Sequence, residues 1–482
     1  MHQEEKLLYE QSTTGKSGVD LPEINKFINM TGVPAREKVG LPEVAESTVM
    51  RHFVRISQQN FSIDSNFYPL GSCTMKHNPR LNEQLARLDG FANIHPMQPE
   101  STVQGALELM YSLQEWLCTL TGLPSCSLVP SAGAHGEFTG TMMIRKAHQA
   151  KGNPREIILV PDSAHGTNPA TAAMCGYKIK EVPSTSEGIV DISKLSEIID
   201  EEGDKIAAFM LTNPNTCGIF EPNIIQISEK LHAIGAYFYC DGANFNAIMG
   251  KVRPADLGVD IMQFNLHKTF STPHGGGGPG SGPIVVTEEM IPFLPIPRVE
   301  KNDNTYTLNT NCTESMGRIR SFHGQFGVMV RALAYMQSHG SDGLKQVSED
   351  AVLNANYLLH YLKEDFHVPY KGSCMHECLL TDKYQKERGL ITVDIAKLLL
   401  DNNIHPMTVY FPLVVNGAML IEPTETETKE TLDNFISTMK RISELAKTEE
   451  GVAMAHNAPY NQHKKRLDEV QAARKPVLNY QP

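Results

Sequence analysis

The chain has 482 residues, of which 41% are hydrophobic and 20% are charged, so it can bury a sizeable core and lacks the composition of a disordered protein. Its 43 Lys and Arg against 55 Asp and Glu give a net charge of −12, which argues against nucleic acid or an anionic membrane surface as the main partner. Nine cysteines without a CxxC pair, a start unlike a signal peptide and no apolar run of membrane length predict a cytoplasmic protein.

The first 80 residues are predicted to form an N-terminal arm and a segment that reaches the active site. The arm is polar and broken by Gly and Pro as far as about residue 48, and a short helix is expected over 46–58. An irregular run, NFYPLGSCTMKHNPR, follows at 66–80. Apolar residues then recur at helical spacing from Ser101 to Thr121, and Gly122 is suited to end that helix.

Residues 81–300 are predicted to form a large α/β domain. Short apolar runs rich in β-branched and aromatic residues alternate there with stretches long enough for crossover helices. This rhythm predicts a mainly parallel sheet covered on both faces, which binds ligands at the carboxyl ends of its strands. The candidate strands are Cys126–Pro130, Ile157–Val160, Ala207–Thr212, Ala236–Cys240, Met262–Leu266 and Pro283–Thr287.

Residues 301–450 are predicted to form a smaller C-terminal α/β domain, and 451–482 a polar tail. A helix is expected from about Gly324 to Ser338. Further helices then alternate with apolar runs at Glu377–Thr381, Val409–Leu413 and Ala418–Glu422.

Five of the candidate strands are followed by residues that carry chemistry. Small residues after the first strand lead into a predicted helix, where free backbone N–H groups and the positive helix end suit a phosphate. The later loops carry an imidazole, amides, a carboxylate and a lysine. The five loops read SAGAHGE (131–137), DSAHGTNPA (162–170), TNPNTCG (212–218), CDGANFN (240–246) and NLHKTF (265–270).

Taken singly, each loop has an ordinary structural explanation. A Gly/Ser loop is usually a turn, a lone His is usually structural, and an Asp after a strand often caps the next helix. The formal G-x-G-x-x-G at Gly275, Gly277 and Gly280 is not expected to bind a dinucleotide, because a strand rather than a helix follows it. Alternation on a half-buried strand explains the ligand-type residues at 374–378 better than a metal does, so no metal site is predicted.

Taken together, the loops describe a pyridoxal-phosphate site. Lys268 supplies the amine for a Schiff base, and Asp241 supplies the carboxylate that faces the pyridine nitrogen. His165 is suited to one face of the ring, and Ala243 leaves room at the other. The backbone of Ser131, Ala132, Gly133 and Ala134 can hold the phosphate.

Several longer strings make the resemblance more specific. The chain resembles subunit 2 of the two-subunit glycine dehydrogenase (decarboxylating), the P-protein of the glycine cleavage system, from about residue 40 to the C-terminal RKP. The single-chain form of that protein is about twice as long, and this chain resembles its cofactor-bearing C-terminal half. The strings are YPLGSCTMK (68–76), SAGAHGE, DSAHGTNPA, TNPNTCGIFE (212–221), DGANFNAI (241–248), NLHKTF..PHGGGGPGSGP (265–283), SFHGQFGV (321–328) and IEPTETET (421–428).

The resemblance implies a fold-type-I pyridoxal-phosphate enzyme with a sheet of the seven-stranded type. It implies decarboxylation of glycine, release of CO2 and transfer of the aminomethyl group to the lipoyl arm of H-protein. Partners would be P-protein subunit 1 and lipoylated H-protein, with two copies of each P-protein subunit. Lys268, His165 and Asp241 are the implied catalytic residues; Asn213 and His267 join the cofactor-binding candidates named above.

Two alternatives stay open at this point. One is another fold-type-I enzyme acting on glycine, serine or threonine, of aldolase or hydroxymethyltransferase type. The other is a non-catalytic partner subunit, although retention of Asp241 and Lys268 speaks against it. The sequence does not show which group holds the glycine carboxylate or where the lipoyl arm enters. The run 68–76 and residues 318–323 are candidates by resemblance alone.

Overall fold

The structure is a computed structural model that describes residues 4–20, 32, 34, 39–274, 280–321 and 324–479. Part of the glycine run (275–279) and residues 322–323 of the candidate stretch 318–323 lie outside the described residues. No described helix is long and apolar enough to cross a membrane. The α-helices are α1 Glu46–Ser57, α2 Arg80–Ala86, α3 Asp89–Ala92, α4 Gln104–Thr121, α5 Gly133–Ala150, α6 Thr167–Met174, α7 Ile192–Glu202, α8 Ile224–Ala233, α9 Leu266–Thr269, α10 Phe326–Leu362, α11 Lys383–Lys386, α12 Thr392–Asp401, α13 Lys429–Leu445, α14 Glu449–Asn457 and α15 Glu469–Arg474.

Twelve strands form three sheets in the part of the chain that the structure describes. The large sheet has seven strands in the order β1-β7-β6-β5-β4-β2-β3. It is parallel except at β7, which runs antiparallel to both of its neighbours. The mainly parallel sheet predicted from the sequence is therefore confirmed. The strands are β1 Ser125–Ser127, β2 Ile157–Pro161, β3 Lys178–Val182, β4 Ile206–Thr212, β5 Tyr237–Gly242, β6 Ile261–Phe264, β7 Ile284–Val286, β8 Arg298–Asn302, β9 Thr305–Asn309, β10 Cys378–Thr381, β11 Thr408–Val409 and β12 Ala418–Ile421.

The central strands are apolar along their whole length because helices cover both faces of the sheet. All seven residues of β4 are buried. Phe209 and Leu211 pack into the apolar cluster on the face covered by α4 and α8, whereas Ala208 and Met210 pack with α5 on the other face. This alternation sets the register of the strand, and the register determines which residues of the following loop lie at the site.

A small antiparallel sheet, in the order β10-β12-β11, forms the centre of the C-terminal part. The run 66–80 of the N-terminal segment lies against its β12 strand: Leu70 bridges to Ile421, and Gly71 N donates to Leu420 O at 3.2 Å. A Cβ at Gly71 would lie 2.4 Å from Leu420 Cγ, so glycine is required for this close approach. The contact carries the N-terminal segment across the small sheet towards the large one.

Helix α10 joins the two apolar cores. Its residues up to Val347 pack into the cluster on the large sheet, and those from Ala355 onward pack with the small sheet. Within the first of these stretches, Gly340 has a φ of 63° and breaks the helical geometry. The predicted domain boundaries at residues 80, 300 and 450 stay predictions.

Candidate active site

A cavity opens at the carboxyl ends of β4, β5 and β6. It lies where the parallel-sheet rule places a ligand site. Five of the residues singled out from the sequence line it, namely Ala134, His165, Asp241, Ala243 and Lys268. Loops that are far apart in the chain thus meet in one place.

Lys268 reaches the cavity from α9, the short helix that follows β6 after Asn265. Its Nζ donates a hydrogen bond to the backbone carbonyl of Ser72 at 2.8 Å. The amine is therefore held by the N-terminal segment, the part of the chain that also lies on the small sheet.

Asp241 is the next-to-last residue of β5, and only 2% of its surface is exposed. One carboxylate oxygen accepts hydrogen bonds from Ala243 N at 3.0 Å and from the amide of Gln263. The other accepts from Asn168 Nδ2 at 3.2 Å. The Thr212 hydroxyl also donates to this second oxygen, at 3.5 Å. Four donors aimed at one buried carboxylate hold it in a fixed orientation at the cavity.

His165 lines the cavity beside a buried carboxyl group. The backbone N–H of Thr167 donates to His165 Nδ1 at 3.3 Å, and the Thr167 hydroxyl donates to Glu137 Oε1 at 2.9 Å. Burial, and then the charge of Lys268, lower the pKa of His165 below its usual 6.5, so its ring is neutral at pH 7. A neutral imidazole with a fixed ring is suited to stack on a flat ligand.

Helix α5 begins beside the cavity at Gly133, and no side chain caps this end. Its first N–H groups are therefore available to an anion. Glycine is required here because a Cβ at Gly133 would lie 2.3 Å from Asn265 Oδ1. Arg320 adds positive charge nearby: it lowers the pKa of His135 in the first turn, second to burial, and its Nη1 is buried without a partner among the described residues.

Five cofactor-binding candidates lie outside the residues that line the cavity, namely Ser131, Ala132, Gly133, Asn213 and His267. Asn213 is buried, and its Oδ1 accepts a hydrogen bond from Glu221 N at 2.9 Å, which fixes the loop after β4. His267 packs edge-on against His274 with ring centroids 5.1 Å apart, and burial lowers its pKa to about 3. Ser131 and Ala132 precede α5, where the Ser131 hydroxyl lies 3.1 Å from His135 Nδ1.

These groups fit pyridoxal 5′-phosphate. The uncapped helix end suits its phosphate, and the oriented carboxylate of Asp241 suits its ring nitrogen. His165 and Ala243 line the same cavity as the amine of Lys268, so an aromatic ring and a small side chain are available to a flat ligand.

Glu137, which sequence analysis did not single out, also lines the cavity. It lies one turn into α5 on the same face as Gly133, and this i, i+4 relation was the available signal. Its carboxyl group is 3% exposed, and burial, followed by the charge of Asp241, raises its pKa to about 7. The residue therefore titrates close to neutral pH.

Replacing Glu137 with glutamine should remove a pH dependence of stability. The unfolded carboxyl group ionises near 4.5 and the folded one near 7, so the folded state holds the extra proton between these values and loses stability as pH rises through them. The free energy of unfolding of the variant, taken relative to that of the native chain, should therefore rise by at most about 3 kcal/mol between pH 5 and pH 8. Urea unfolding at both pH values measures this.

The matched control is Glu181→Gln, because Glu181 is an exposed glutamate on β3. It should give the same difference from the native chain at both pH values. An equal effect of Glu137→Gln at pH 5 and pH 8 would contradict the proposed titration of Glu137.

Comparison with known proteins places this site in a family. The family model described as "Glycine cleavage system P-protein" matches residues 20–310, and "Glycine dehydrogenase, C-terminal domain" matches residues 347–464. Relatives named "Probable glycine dehydrogenase (decarboxylating) subunit 2" are 53% identical in Caulobacter vibrioides, over 100% of this chain and 93% of the relative, and 52% identical in Listeria innocua, over 98% of each.

Solved structures show the same fold. A crystal structure of glycine decarboxylase (P-protein) of the glycine cleavage system, in inhibitor-bound form, superposes with a TM-score of 0.71 at 19% identity, over 86% of this chain and 93% of that one. An alanine–glyoxylate aminotransferase from a Nostoc species has a TM-score of 0.57 at 15% identity, over 86% and 99%. The predicted fold-type-I architecture is confirmed.

Proposed function

The chain belongs to the glycine cleavage system P-protein family, as subunit 2 of glycine dehydrogenase (decarboxylating), and from this premise we propose that it is the cofactor-bearing subunit of that enzyme. It takes glycine, releases CO2 and passes the aminomethyl group to the lipoyl arm of H-protein. The observation that carries the proposal is the meeting of Lys268 and the buried Asp241 in one cavity beside the uncapped start of α5.

Lys268 would hold pyridoxal 5′-phosphate through its amine, and the cofactor would supply the electron sink for this reaction. Asp241 holds a proton at the ring nitrogen, and the α5 N–H groups hold the phosphate. The Lys268 amine would also move protons at the reacting carbon of glycine. His165 and Ala243 hold the ring plane and leave little room for water.

The overall reaction balances without a further oxidant. The bond between C1 and C2 of glycine breaks, and C1 leaves as CO2. The electron pair left on C2 forms a bond to one lipoyl sulfur, while the sulfur–sulfur bond breaks and the second sulfur takes up a proton. The lipoyl group is thereby reduced, so the enzyme requires a lipoylated partner.

The enzyme is assembled from two kinds of subunit, with two copies of each. Names of the relatives support this, because "subunit 2" implies a subunit 1. This chain covers 93% and 98% of the length of those two relatives, which are each named as one subunit of the enzyme. The cytoplasmic location predicted from the sequence stays a prediction.

Reconstitution tests the proposed function. The purified chain, subunit 1, lipoylated H-protein and pyridoxal 5′-phosphate should together exchange labelled bicarbonate into the carboxyl group of glycine. Omitting subunit 1 or H-protein should remove most of the exchange. Tetrahydrofolate-dependent serine formation, assayed in parallel, tests the hydroxymethyltransferase alternative.

Two outcomes would each contradict one part of the proposal. No exchange with every component present would refute glycine decarboxylation. Full exchange from this chain and H-protein, in a sample shown by mass spectrometry to contain no subunit 1, would refute the two-subunit assembly.

A further inference from the structure

Two glutamates outside the large sheet lie next to the segment that holds Lys268. Glu377 directly precedes β10, and Glu422 directly follows β12. Because Cys378 pairs with Ile421 in the antiparallel register, the two glutamates lie opposite each other at one end of the small sheet. Both side chains are fully buried.

The two carboxyl groups bind consecutive turns of the N-terminal segment. Glu377 Oε2 accepts from Ser72 N at 2.8 Å, and Glu422 accepts from Thr74 N at 3.0 Å and from the Thr74 hydroxyl at 2.6 Å. Ser72 and Thr74 have φ values of 62° and 48°, which non-glycine residues adopt only when their surroundings hold them there. The carboxyl pair supplies that constraint.

The bond to Lys268 leaves from the middle of this constrained turn. The carbonyl of Ser72 accepts from Lys268 Nζ at 2.8 Å, one peptide away from the N–H groups that the carboxyl pair binds. Any change in how Glu377 or Glu422 binds the segment therefore moves the acceptor that orients the lysine.

Burial of both side chains opposes the ionisation of both carboxyl groups at once. Burial raises the pKa of Glu377 well above its usual range, and the charge of Glu422 adds to the effect. Burial also raises the pKa of Glu422. His376 lies 4.0 Å from Glu377 and 3.9 Å from Glu422, but burial lowers its pKa to about 3, so it brings no positive charge.

We propose that Glu377 and Glu422 share one proton and act together as positioning residues for Lys268, by holding the carbonyl of Ser72 against its amine. The inference rests on the proposed function only in taking Lys268 as the residue that binds the cofactor. It adds two residues, from a different part of the chain, to those that prepare the lysine.

A proton suits this cluster better than a metal ion does. The atoms of His376, Glu377 and Glu422 lie within 4.8 Å of one another, as a cation site would require. However, three of the four carboxylate oxygens already accept hydrogen bonds, and the charges that act on the pair include two cations. The titratable or charged groups that face it are Lys268 and Lys76, the neutral His376, and the thiols of Cys73, Cys217, Cys374 and Cys378.

Amide hydrogen exchange tests the positioning role without the cofactor. In Glu377→Ala and Glu422→Ala, the amides of Ser72 and Thr74 lose their acceptors and should exchange at least tenfold faster than in the native chain. Glu221→Ala is the matched control, because Glu221 is also buried and accepts from two backbone N–H groups, of Val190 and Asn223, in the large domain. It should leave the exchange of segment 68–76 unchanged. Unchanged exchange in both alanine variants would overturn the positioning role.

The glutamine variants test the shared proton and avoid the folding risk of alanine. Each single change, Glu377→Gln or Glu422→Gln, leaves the pair with the same single negative charge and should leave the pH profile of cofactor capture by Lys268 unchanged. The double variant removes that charge, makes the lysine ammonium less stable and should move the profile to lower pH by roughly half a unit or more. Capture is followed by absorbance after adding pyridoxal 5′-phosphate.

The outcomes separate this inference from the proposed function. A single glutamine variant that shifts the profile by about half as much as the double variant would show two ionised carboxylates and overturn the shared proton. A double variant with the native profile would overturn the coupling to Lys268. Failure of the native chain to capture the cofactor at Lys268 would instead refute the proposed function, and the exchange measurement would still decide the positioning role.

Discussion

Replacing Lys268 with alanine should abolish covalent attachment of pyridoxal 5′-phosphate and leave the fold intact. The bond to the Ser72 carbonyl is the hydrogen bond that Lys268 makes within the described residues, so its loss costs only about 1 kcal/mol of stability. The chemical loss is complete because no other side-chain amine lines the cavity among the described residues. Borohydride reduction followed by peptide mass spectrometry measures attachment, and thermal unfolding measures the fold.

Lys251→Ala provides the comparison, because Lys251 is an exposed lysine paired with Glu349 on the surface. It should retain the full amount of reducible cofactor. Cofactor that stays reducible in Lys268→Ala would assign the attachment to another lysine. The buried Lys76, which donates to Glu425 Oε1 at 2.7 Å and to Thr269 O at 2.8 Å, would be the first to examine.

The strands of the large sheet were predictable wherever burial on both faces made them apolar. Strands such as β4, with all seven residues buried, stand out from the sequence for this reason. Strand β3 was missed because it lies at the edge of the sheet, and its sequence KIKEV exposes three of its five side chains. Edge strands often carry charged side chains, so they do not stand out as buried apolar runs.

The site was predictable to the extent that it depends on strand ends. Parallel strands bring their carboxyl ends to one edge, so Asp241 and Lys268 were expected to meet although 27 positions separate them. No such rule predicts the contacts that other parts of the fold make with the site. The carbonyl of Ser72 reaches Lys268 only because residues 66–80 cross the small sheet, a path that no local pattern specifies.

The pairing of Glu377 and Glu422 could not be predicted from the sequence either. Glu377 lies in a run that reads as ordinary strand alternation, and Glu422 is separated from it by 45 positions. Their joint role depends on the register between β10 and β12, which is a tertiary property. The ligand-type residues at 374–378 fit ordinary strand alternation, because the sequence alone does not place Glu422 beside them.

Replacing Asp241 with asparagine should leave cofactor binding largely intact and lower the rate of glycine decarboxylation more than tenfold. An amide cannot stabilise a protonated ring nitrogen as a carboxylate does, and a charge-assisted hydrogen bond is worth about 1.5–3 kcal/mol. At about 1.4 kcal/mol per tenfold change in rate, its loss predicts the stated effect. Bicarbonate exchange in the reconstituted system measures the rate, and cofactor absorbance measures binding.

The fold should tolerate Asp241→Asn, so the loss of rate measures the contribution of the carboxylate to catalysis. The carboxylate accepts from the amides of Gln263 and Asn168, and each of those amides has a buried oxygen without a partner among the described residues. Turning either amide would present that oxygen to the new NH2 group of asparagine. The control is Asp260→Asn. Asp260 directly precedes β6, at the end of the strand opposite the site, and accepts from Phe238 N at 2.7 Å. It should leave the exchange rate unchanged, whereas a near-native rate in Asp241→Asn would reduce Asp241 to fixing the turn at Ala243.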